Sequence, residues 1–185
     1  MRCRDARIED AAAIGRIHIA AWRAAYQGLM PPAFLAALDP VRAAERWERR
    51  LRAGGSVLLV ESSGDAAGFC LHGLSRDEDA SLSTGEILAI NLDPAYWRRG
   101  LGRTLLREAM ARLTTAGFSE ATLWVLRGND RARRFYEALG WQFDGTERVL
   151  TELTGSPLHE VRYRADLTSR SACRAGVGPC PRGRT

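Results

Sequence analysis

The sequence predicts a single mixed α/β domain, and three observations lead to this prediction. Short β-rich runs alternate with amphipathic helical stretches in the order β-α-α-β-β-β-α-β-α-β-β. Apolar residues make up 45% and charged residues 26% of the 185 residues, a balance typical of globular domains. Residues 169–185 carry Arg, Gly, Pro and Cys without an apolar pattern, so we expect a disordered tail there. The predicted domain is therefore 1–168.

The amino-terminal half predicts one strand, two helices and a hairpin. "CRDARIED" is a short strand that runs into an acidic helix start, and apolar residues then recur at helical spacing from Ile14 to Ala25. "GLMPPAF" is expected to break this helix, and a second helix follows from about Pro40 to Ala53. "SVLLVESSGDAAGFCLHGL" contains two β-rich runs around a turn, which predicts a hairpin.

The carboxy-terminal half alternates strands and helices. "EILAINLD" is a strand that ends at Pro94, and an amphipathic helix extends from the following glycines to about Gly117. "SEATLWVL" is a strand, and "NDRARRFYEALG" is a helix with Asn129 as its N-cap and Gly140 just past its end. "WQFDGTERVL" and "HEVRYRADL" close the sheet.

The charge distribution argues against a nucleic-acid partner. The net charge is +5, but the tail contributes four arginines and no acid, which leaves about +1 on the predicted domain. No apolar run approaches the ~20 residues that cross a bilayer, and the amino terminus lacks a signal-peptide core. We therefore expect a cytoplasmic protein that binds neither nucleic acid nor membrane.

The cysteines and histidines do not predict a metal site. Cys3, Cys70, Cys173 and Cys180 form no C-x-x-C pair, and the three histidines are scattered. Cys70 lies in an apolar run and is expected to be a buried thiol, whereas Cys173 and Cys180 fall in the predicted tail.

"RRGLGR", residues 98–103, lies between a strand and a helix, where it can bind a phosphate. Glycine lets the backbone approach an anion closely, and the helix start presents unpaired N–H groups. The alternative is a tight turn with solvated arginines. A Walker A loop is excluded because the sequence contains no lysine.

Two motifs resemble those of the GNAT superfamily of N-acetyltransferases. "WRRGLG" is similar to its acyl-CoA signature [QR]-x-x-G-x-[GA], with Trp97 in the place of Gln or Arg. "NDRARRFYEALGW" is similar to its second motif, from Asn129 through Tyr136 to Trp141. The resemblance implies a GNAT fold: one domain with a mixed, mostly antiparallel sheet of six to seven strands, about four helices and a splayed central strand pair.

The resemblance also implies a set of site residues. Those expected to bind acetyl-CoA are Ile90, Asn91, Leu92, Arg98, Arg99, Gly100, Leu101, Gly102, Arg103 and Asn129. For Ile90 and Leu92 the alternative is a plain core residue, and for Asn129 it is an N-cap. The arginines either contact the 3′-phosphate of CoA or are solvated side chains. Tyr136 matches the usual general acid, although an aromatic core residue is the alternative.

Other matches are more open. Glu86 lies where many relatives keep a base, with an exposed strand-end acid as the alternative. Trp22 and Tyr26 share a helix face with His18 and are expected either to border the acceptor or to face the core. "RDED" (76–79) either attracts a cationic amine or forms a solvated loop.

The function that follows is direct transfer of an acetyl group from acetyl-CoA to a primary amine of a small molecule or peptide. Acetyl-CoA is the only cofactor expected, and we expect no bound metal. The alternative is a non-catalytic acyl-CoA-binding or sensing module on the same fold. Dimers are common in the superfamily, so a homodimer is a candidate assembly.

Overall fold

The computed structural model describes residues 1–168, and seven strands form one sheet in the order β1-β2-β3-β4-β5-β7-β6. The strands are β1 Arg2–Asp5, β2 Val57–Ser62, β3 Asp65–Leu74, β4 Thr84–Leu92, β5 Glu120–Leu126, β6 Gln142–Leu150 and β7 Leu158–Asp166. The helices are α1 Ala11–Ala25, α2 Pro32–Ala37, α3 Pro40–Arg52, α4 Leu101–Thr115 and α5 Asp130–Glu137. Only β4 and β5 pair in parallel, so the sheet is mixed and mostly antiparallel as predicted. The predicted tail, with Cys173 and Cys180, lies outside the described residues.

The helices cover both faces of the sheet. On one face, Ile14 of α1 and Trp47 of α3 pack with Phe69 of β3. On the other face, Leu105 of α4 and Tyr136 of α5 share a core with residues of β2, β3, β5 and β7. Within residues 1–168, no helix combines the length and apolarity that a membrane span requires. Each face therefore has its own apolar core, with the sheet between them.

The segment after α1 contains a helix that the sequence did not predict. Helix α1 ends at Ala25, shortly before "GLMPPAF", with Tyr26 as its C-cap. Within that segment Pro32 starts α2, because proline lacks the N–H that a first helical residue leaves unpaired. Leu35 of α2 is buried beside Leu126 and Met30. The described chain thus has five α-helices where about four were expected.

The central strands β4 and β5 separate, and a bulge marks the point. They pair from Thr84↔Glu120 to Ile87↔Leu123 and no further, although both strands continue. On the other edge of β4, Ile87 pairs with β3 and so does Ala89, which leaves Leu88 as an extra residue. Because a bulge bends its strand, β4 leaves β5 at Leu88. The predicted splayed pair is confirmed, and it opens after Ile87.

Candidate active site

A cleft of about 1190 Å³ crosses the sheet where β4 and β5 separate. Its lining comes from both faces, so two parts can be named. The α4 end contains Arg98, Gly100, Gly102 and Arg103, and the α1/α3 end contains His18, Trp22, Arg46, Trp47, Arg49 and Arg50. The predicted site residues that line the cleft are Trp22, Tyr26, Ile90, Asn91, Leu92, Arg98, Gly100, Gly102, Arg103, Asn129 and Tyr136. Glu86, Arg99 and Leu101 lie outside this lining.

The α4 end is built from backbone. Gly100 is the N-cap of α4 with φ +81°, and no side chain caps the helix there. Arg98 also has a positive φ, 61°, so the loop turns sharply into the helix. The first N–H groups of a helix have no intrahelical partner and carry the positive end of its dipole. This end of the cleft is therefore suited to bind an anion.

Trp97, which departs from the motif, stabilises this loop. Its indole nitrogen donates to the carbonyl of Leu92 at 2.9 Å. The guanidinium of Arg131 lies over the indole ring, 3.6 Å from the centroid. Trp97 thus joins the loop to the end of β4 and to the start of α5, which accounts for an aromatic residue in place of Gln or Arg.

Asn129 caps α5 and lines the cleft. Its side-chain oxygen accepts from the backbone N–H of Ala132 at 3.2 Å, which confirms the predicted N-cap. The residue is buried, and its position in the lining is compatible with the predicted contact to a ligand. That contact stays a prediction.

Tyr136 belongs both to the core and to the cleft. Its ring packs in the α4 and α5 core, and the residue is 8% exposed. Within residues 1–168, no side chain or backbone group forms a hydrogen bond with its hydroxyl. Burial raises the pKa of Tyr136 well above its usual range, and the neighbouring Tyr26 and Cys70 add to the increase. The phenol is therefore protonated at neutral pH, as a general acid must be.

The aromatic residues of α1 form one wall of the cleft. His18 and Trp22 pack edge to face at 4.7 Å between centroids, and Trp22 and Tyr26 at 5.3 Å. Burial raises the pKa of Tyr26 to about 12. Trp22 and Tyr26 also contact apolar residues, so each of them both lines the cleft and packs in a core.

His18 is fixed as a neutral ring. Its Nδ1 accepts from the indole nitrogen of Trp47 at 3.0 Å, so the ring proton lies on Nε2. Burial and, to a smaller extent, the charge of Arg46 lower the pKa of His18 to about 4. His18 thus contributes a neutral polar group to the wall at pH 7.

Glu86 is buried behind Arg76, which lines the cleft. It is 2% exposed, and its Oε1 accepts from Arg76 Nη2 at 2.9 Å. Its Oε2 accepts from Arg76 Nε at 3.2 Å and from the Arg76 backbone N–H at 3.0 Å. The alternative of an exposed acid is wrong, and the predicted role as a base has to compete with this ion pair.

The acidic residues in "RDED" lie in an exposed loop, but two of them pair with a buried arginine. Asp79 accepts two hydrogen bonds from Arg162 at 2.6 and 2.7 Å, and Asp77 accepts from Arg162 at 3.2 Å. Asp77 also accepts from the indole nitrogen of Trp124 at 2.8 Å. Arg162 is 3% exposed, so these carboxylates compensate a buried charge and are not free to attract an amine. An arginine at an inward position of β7 is the sequence signal for this network.

The sequence interpretation missed most of the arginines at the cleft. Arg46, Arg49 and Arg50 of α3 line it, and Arg131 of α5 does so near Trp97. Their helical spacing places Arg46 and Arg50 on one stripe of α3. The sequence shows this stripe but not which surface it faces, because that depends on how α3 packs on α1.

Comparison with known proteins agrees with this geometry. Residues 19–141 match the Acetyltransferase (GNAT) family. The chain is 32% identical over 161 residues to an uncharacterized N-acetyltransferase, YuaI, of Bacillus subtilis, covering 85% of this chain and 88% of that protein.

Two solved structures share the fold. One is the PaiA N-acetyltransferase of Thermoplasma acidophilum in complex with coenzyme A, with a TM-score of 0.68, 20% identity and coverage of 89% and 98%. The other is YncA, a putative acetyltransferase of Salmonella typhimurium with its cofactor acetyl-CoA, with a TM-score of 0.67, 22% identity and coverage of 90% and 93%.

Proposed function

Because the chain belongs to the Acetyltransferase (GNAT) family, we propose that it transfers the acetyl group of acetyl-CoA directly to a primary amine of a small molecule or peptide. The observation that carries this proposal is the cleft through the sheet, which is lined from both faces and has Tyr136 in its lining. Two substrates that enter from opposite faces meet there in line. Holding reactants in that way supplies on the order of 7–11 kcal/mol of the barrier.

The α4 end fits the phosphates of the donor. It offers backbone N–H groups after Gly100, where no side chain blocks the approach, and the positive charges of Arg98 and Arg103. Between Leu88 and Leu92, one edge of β4 pairs with β3, whereas the edge toward β5 is left free by the splay. We assign the pantetheine arm to this free edge, beside Ile90, Asn91 and Leu92.

Tyr136 is the proposed general acid. The amine nitrogen forms a bond to the thioester carbonyl carbon, the carbon–sulfur bond breaks, and the electron pair stays on sulfur. The phenol of Tyr136 gives its proton to that sulfur, and the proton that the amine loses restores the phenol through solvent. The raised pKa of Tyr136 keeps the phenol protonated until the thiolate forms.

The amine must be neutral before it attacks, and the charge of the cleft favours that form. Positive neighbours lower the pKa of an ammonium group, and the lining contains seven arginines and one carboxylate. Both oxygens of Glu86 are occupied by Arg76. We therefore assign the loss of the ammonium proton to this positive field, and treat Glu86 as a positioning residue for Arg76.

Replacing Tyr136 with phenylalanine tests the proposal. General acid catalysis contributes about 10²–10⁴ in rate, so Tyr136→Phe should lower kcat by that order. The melting shift that acetyl-CoA causes should stay unchanged, since the ring remains in place. Thiol release from acetyl-CoA, measured over a panel of amines, gives kcat and KM.

Tyr26→Phe is the matched control, because it removes the hydroxyl of a second tyrosine that lines the same cleft. It should raise the KM for the amine and leave kcat within a few-fold. The reverse pattern would assign the acid to Tyr26. A melting shift without thiol release from any amine would instead indicate a binding or sensing module.

A further inference from the structure

The arginines of the cleft exceed what the donor requires. Charged side chains in the lining are Arg46, Arg49, Arg50, Arg76, Arg98, Arg103, Arg131 and Glu160. Glu160 is neutralised by Arg148 at 2.7 Å, and Arg76 by Glu86 at 2.9 Å. Arg98 and Arg103 lie at the α4 end, where the phosphates of the donor are assigned.

Three arginines of α3 then have no counter-ion. Arg46, Arg49 and Arg50 are exposed, and no carboxylate within residues 1–168 forms an ion pair with them. The other arginines of the same helix are paired: Arg52 with Glu48 at 2.6 Å and Arg42 with Asp39 at 3.8 Å. The unpaired charges are thus the ones that face the cleft, and the paired ones face elsewhere.

These three arginines stand on the opposite face of the sheet from α4. Helix α3 packs with α1 in the core that contains Phe69 and Leu71, whereas α4 packs in the other core. The field of Arg46 reaches the wall of the cleft, because it contributes to the lowered pKa of His18. The charges therefore lie on the side of the cleft where the proposed function places the second substrate.

The position of α3 is fixed closely enough to define a site. A Cβ at Gly15 of α1 would lie 2.6 Å from the backbone nitrogen of Ala44, so the two helices touch at backbone distance. Trp47, between Arg46 and Arg50, is held by its hydrogen bond to His18. Long side chains that start from a fixed backbone lose less entropy on binding an anion.

We infer that the acceptor amine carries an acidic group, a carboxylate or a phosphate, which Arg46, Arg49 and Arg50 bind. This inference rests on the proposed function and adds the chemical class of the acceptor. Guanidinium groups match the oxygens of both anions in geometry and charge. The same field repels acceptors that carry only positive charge, so a polyamine is a poor substrate.

Matched amine pairs test the acidic group. Each pair differs only in that group: an amino acid and its carboxamide, and phosphoethanolamine and ethanolamine, with spermidine as the polycation. The wild-type protein should give a kcat/KM about 10–100-fold higher for the acidic member of at least one pair, the range of one or two charged hydrogen bonds. The pair that shows this preference distinguishes a carboxylate from a phosphate. Spermidine should be the poorest substrate.

The variants locate the effect. In the triple variant R46Q/R49Q/R50Q, the KM for the acidic amine should rise at least tenfold and the preference within the pair should fall toward unity. The KM for acetyl-CoA should be unchanged. Arg52→Gln removes the same charge from the same helix outside the cleft and should keep the preference.

The failures of the two proposals are distinguishable. Equal use of acidic and neutral amines by the wild-type protein would overturn the inference and leave the proposed function intact. A rise in the KM for acetyl-CoA in the triple variant would assign these arginines to the donor, and an equal effect of Arg52→Gln would leave only a long-range field. Both results would overturn the acceptor site. No thiol release with any amine, while acetyl-CoA still shifts the melting temperature, would overturn the proposed function and the inference with it.

Discussion

The α4 end of the cleft offers backbone groups to a ligand, whereas the α1/α3 end offers side chains. Gly100 and the first turn of α4 belong to one continuous segment, and its first N–H groups lack intrahelical partners for reasons of helix geometry alone. At the α1/α3 end, His18 and Arg46 come from two helices that are brought together by packing. The two ends therefore differ in how many parts of the chain must cooperate.

This difference determines which substrate the sequence identifies. A backbone site requires glycine at one or two fixed positions, so a short motif predicts it and the donor with it. A side-chain site can change its ligand by single substitutions on a scaffold that stays the same. The acceptor is therefore the part of the function that has to be inferred from charge and geometry.

Breaking the contact between α1 and α3 should have the largest effect. In Gly15→Ala the new Cβ meets backbone atoms of Ala44 at 2.6 Å and of Pro40 at 2.9 Å, so α3 must move. Overpacking of this kind costs about 1–3 kcal/mol, which is roughly 2–12 °C in Tm for a chain of this size. The KM for the amine should rise, while the melting shift with acetyl-CoA is retained.

Gly73→Ala is the control for this change. The nearest atom to its Cβ would be a side-chain carbon of Leu88 at 3.9 Å, so stability should hardly change. If Gly15→Ala weakened acetyl-CoA binding as much as amine binding, the two ends would not be separable.

The pH dependence of stability should show an effect that is smaller for each pH unit and that also belongs to the α1/α3 end. The pKa of His18 falls from 6.5 in the unfolded chain to about 4 in the folded protein. Between these values the unfolded state binds more protons, so stability is complete above pH 6.5 and declines as the pH falls toward 4, by at most about 1.4 kcal/mol per pH unit. Thermal melts from pH 7.5 to 4 measure this slope.

His18→Gln keeps a hydrogen-bond acceptor for Trp47 and removes the titrating ring. Its melting temperature should be lower at pH 7, and the slope between pH 6.5 and 4 should be flatter than in the wild type. An unchanged slope would place the titrating group elsewhere in the protein.

Much of the fold could be predicted because its signals are local. The strands, the splayed pair and the cap at Asn129 follow from apolar periodicity, motif resemblance and a single polar residue before a helix. Helix α2 was missed because its two prolines were interpreted as helix breakers, whereas Pro31 is the N-cap of a new helix and Pro32 its first residue. The residue at which β4 leaves β5 could not be predicted, because the bulge at Leu88 depends on pairing with β3.

The parts of the site that could not be predicted depend on distant partners. Asp79 and Arg162 are 83 residues apart, so a rim of free carboxylates and a buried ion pair look alike in the sequence. Likewise, the surface that the arginines of α3 face is determined only when α3 packs on α1. In both cases tertiary packing, and not local preference, decides whether a charge is paired or free.

The smallest expected effect concerns the backbone of the α4 end. In Gly100→Ala no atom lies within 4 Å of the new Cβ, so the only cost is the positive φ of 81°, about 1–2 kcal/mol for a residue with a side chain. If the loop relaxes out of this conformation, its N–H groups turn away from the phosphates. The affinity for acetyl-CoA should then fall by about 5–30-fold, with the KM for the amine unchanged.

Gly117→Ala separates the loss of stability from the loss of the anion site. Gly117 lies just beyond the other end of α4, has φ +93° and also has no atom within 4 Å of a Cβ. The two variants should therefore melt at similar temperatures, whereas only Gly100→Ala should bind acetyl-CoA more weakly in a titration. Equal affinities in the two variants would mean that side chains bind the donor as well, and the contrast between the ends of the cleft would be lost.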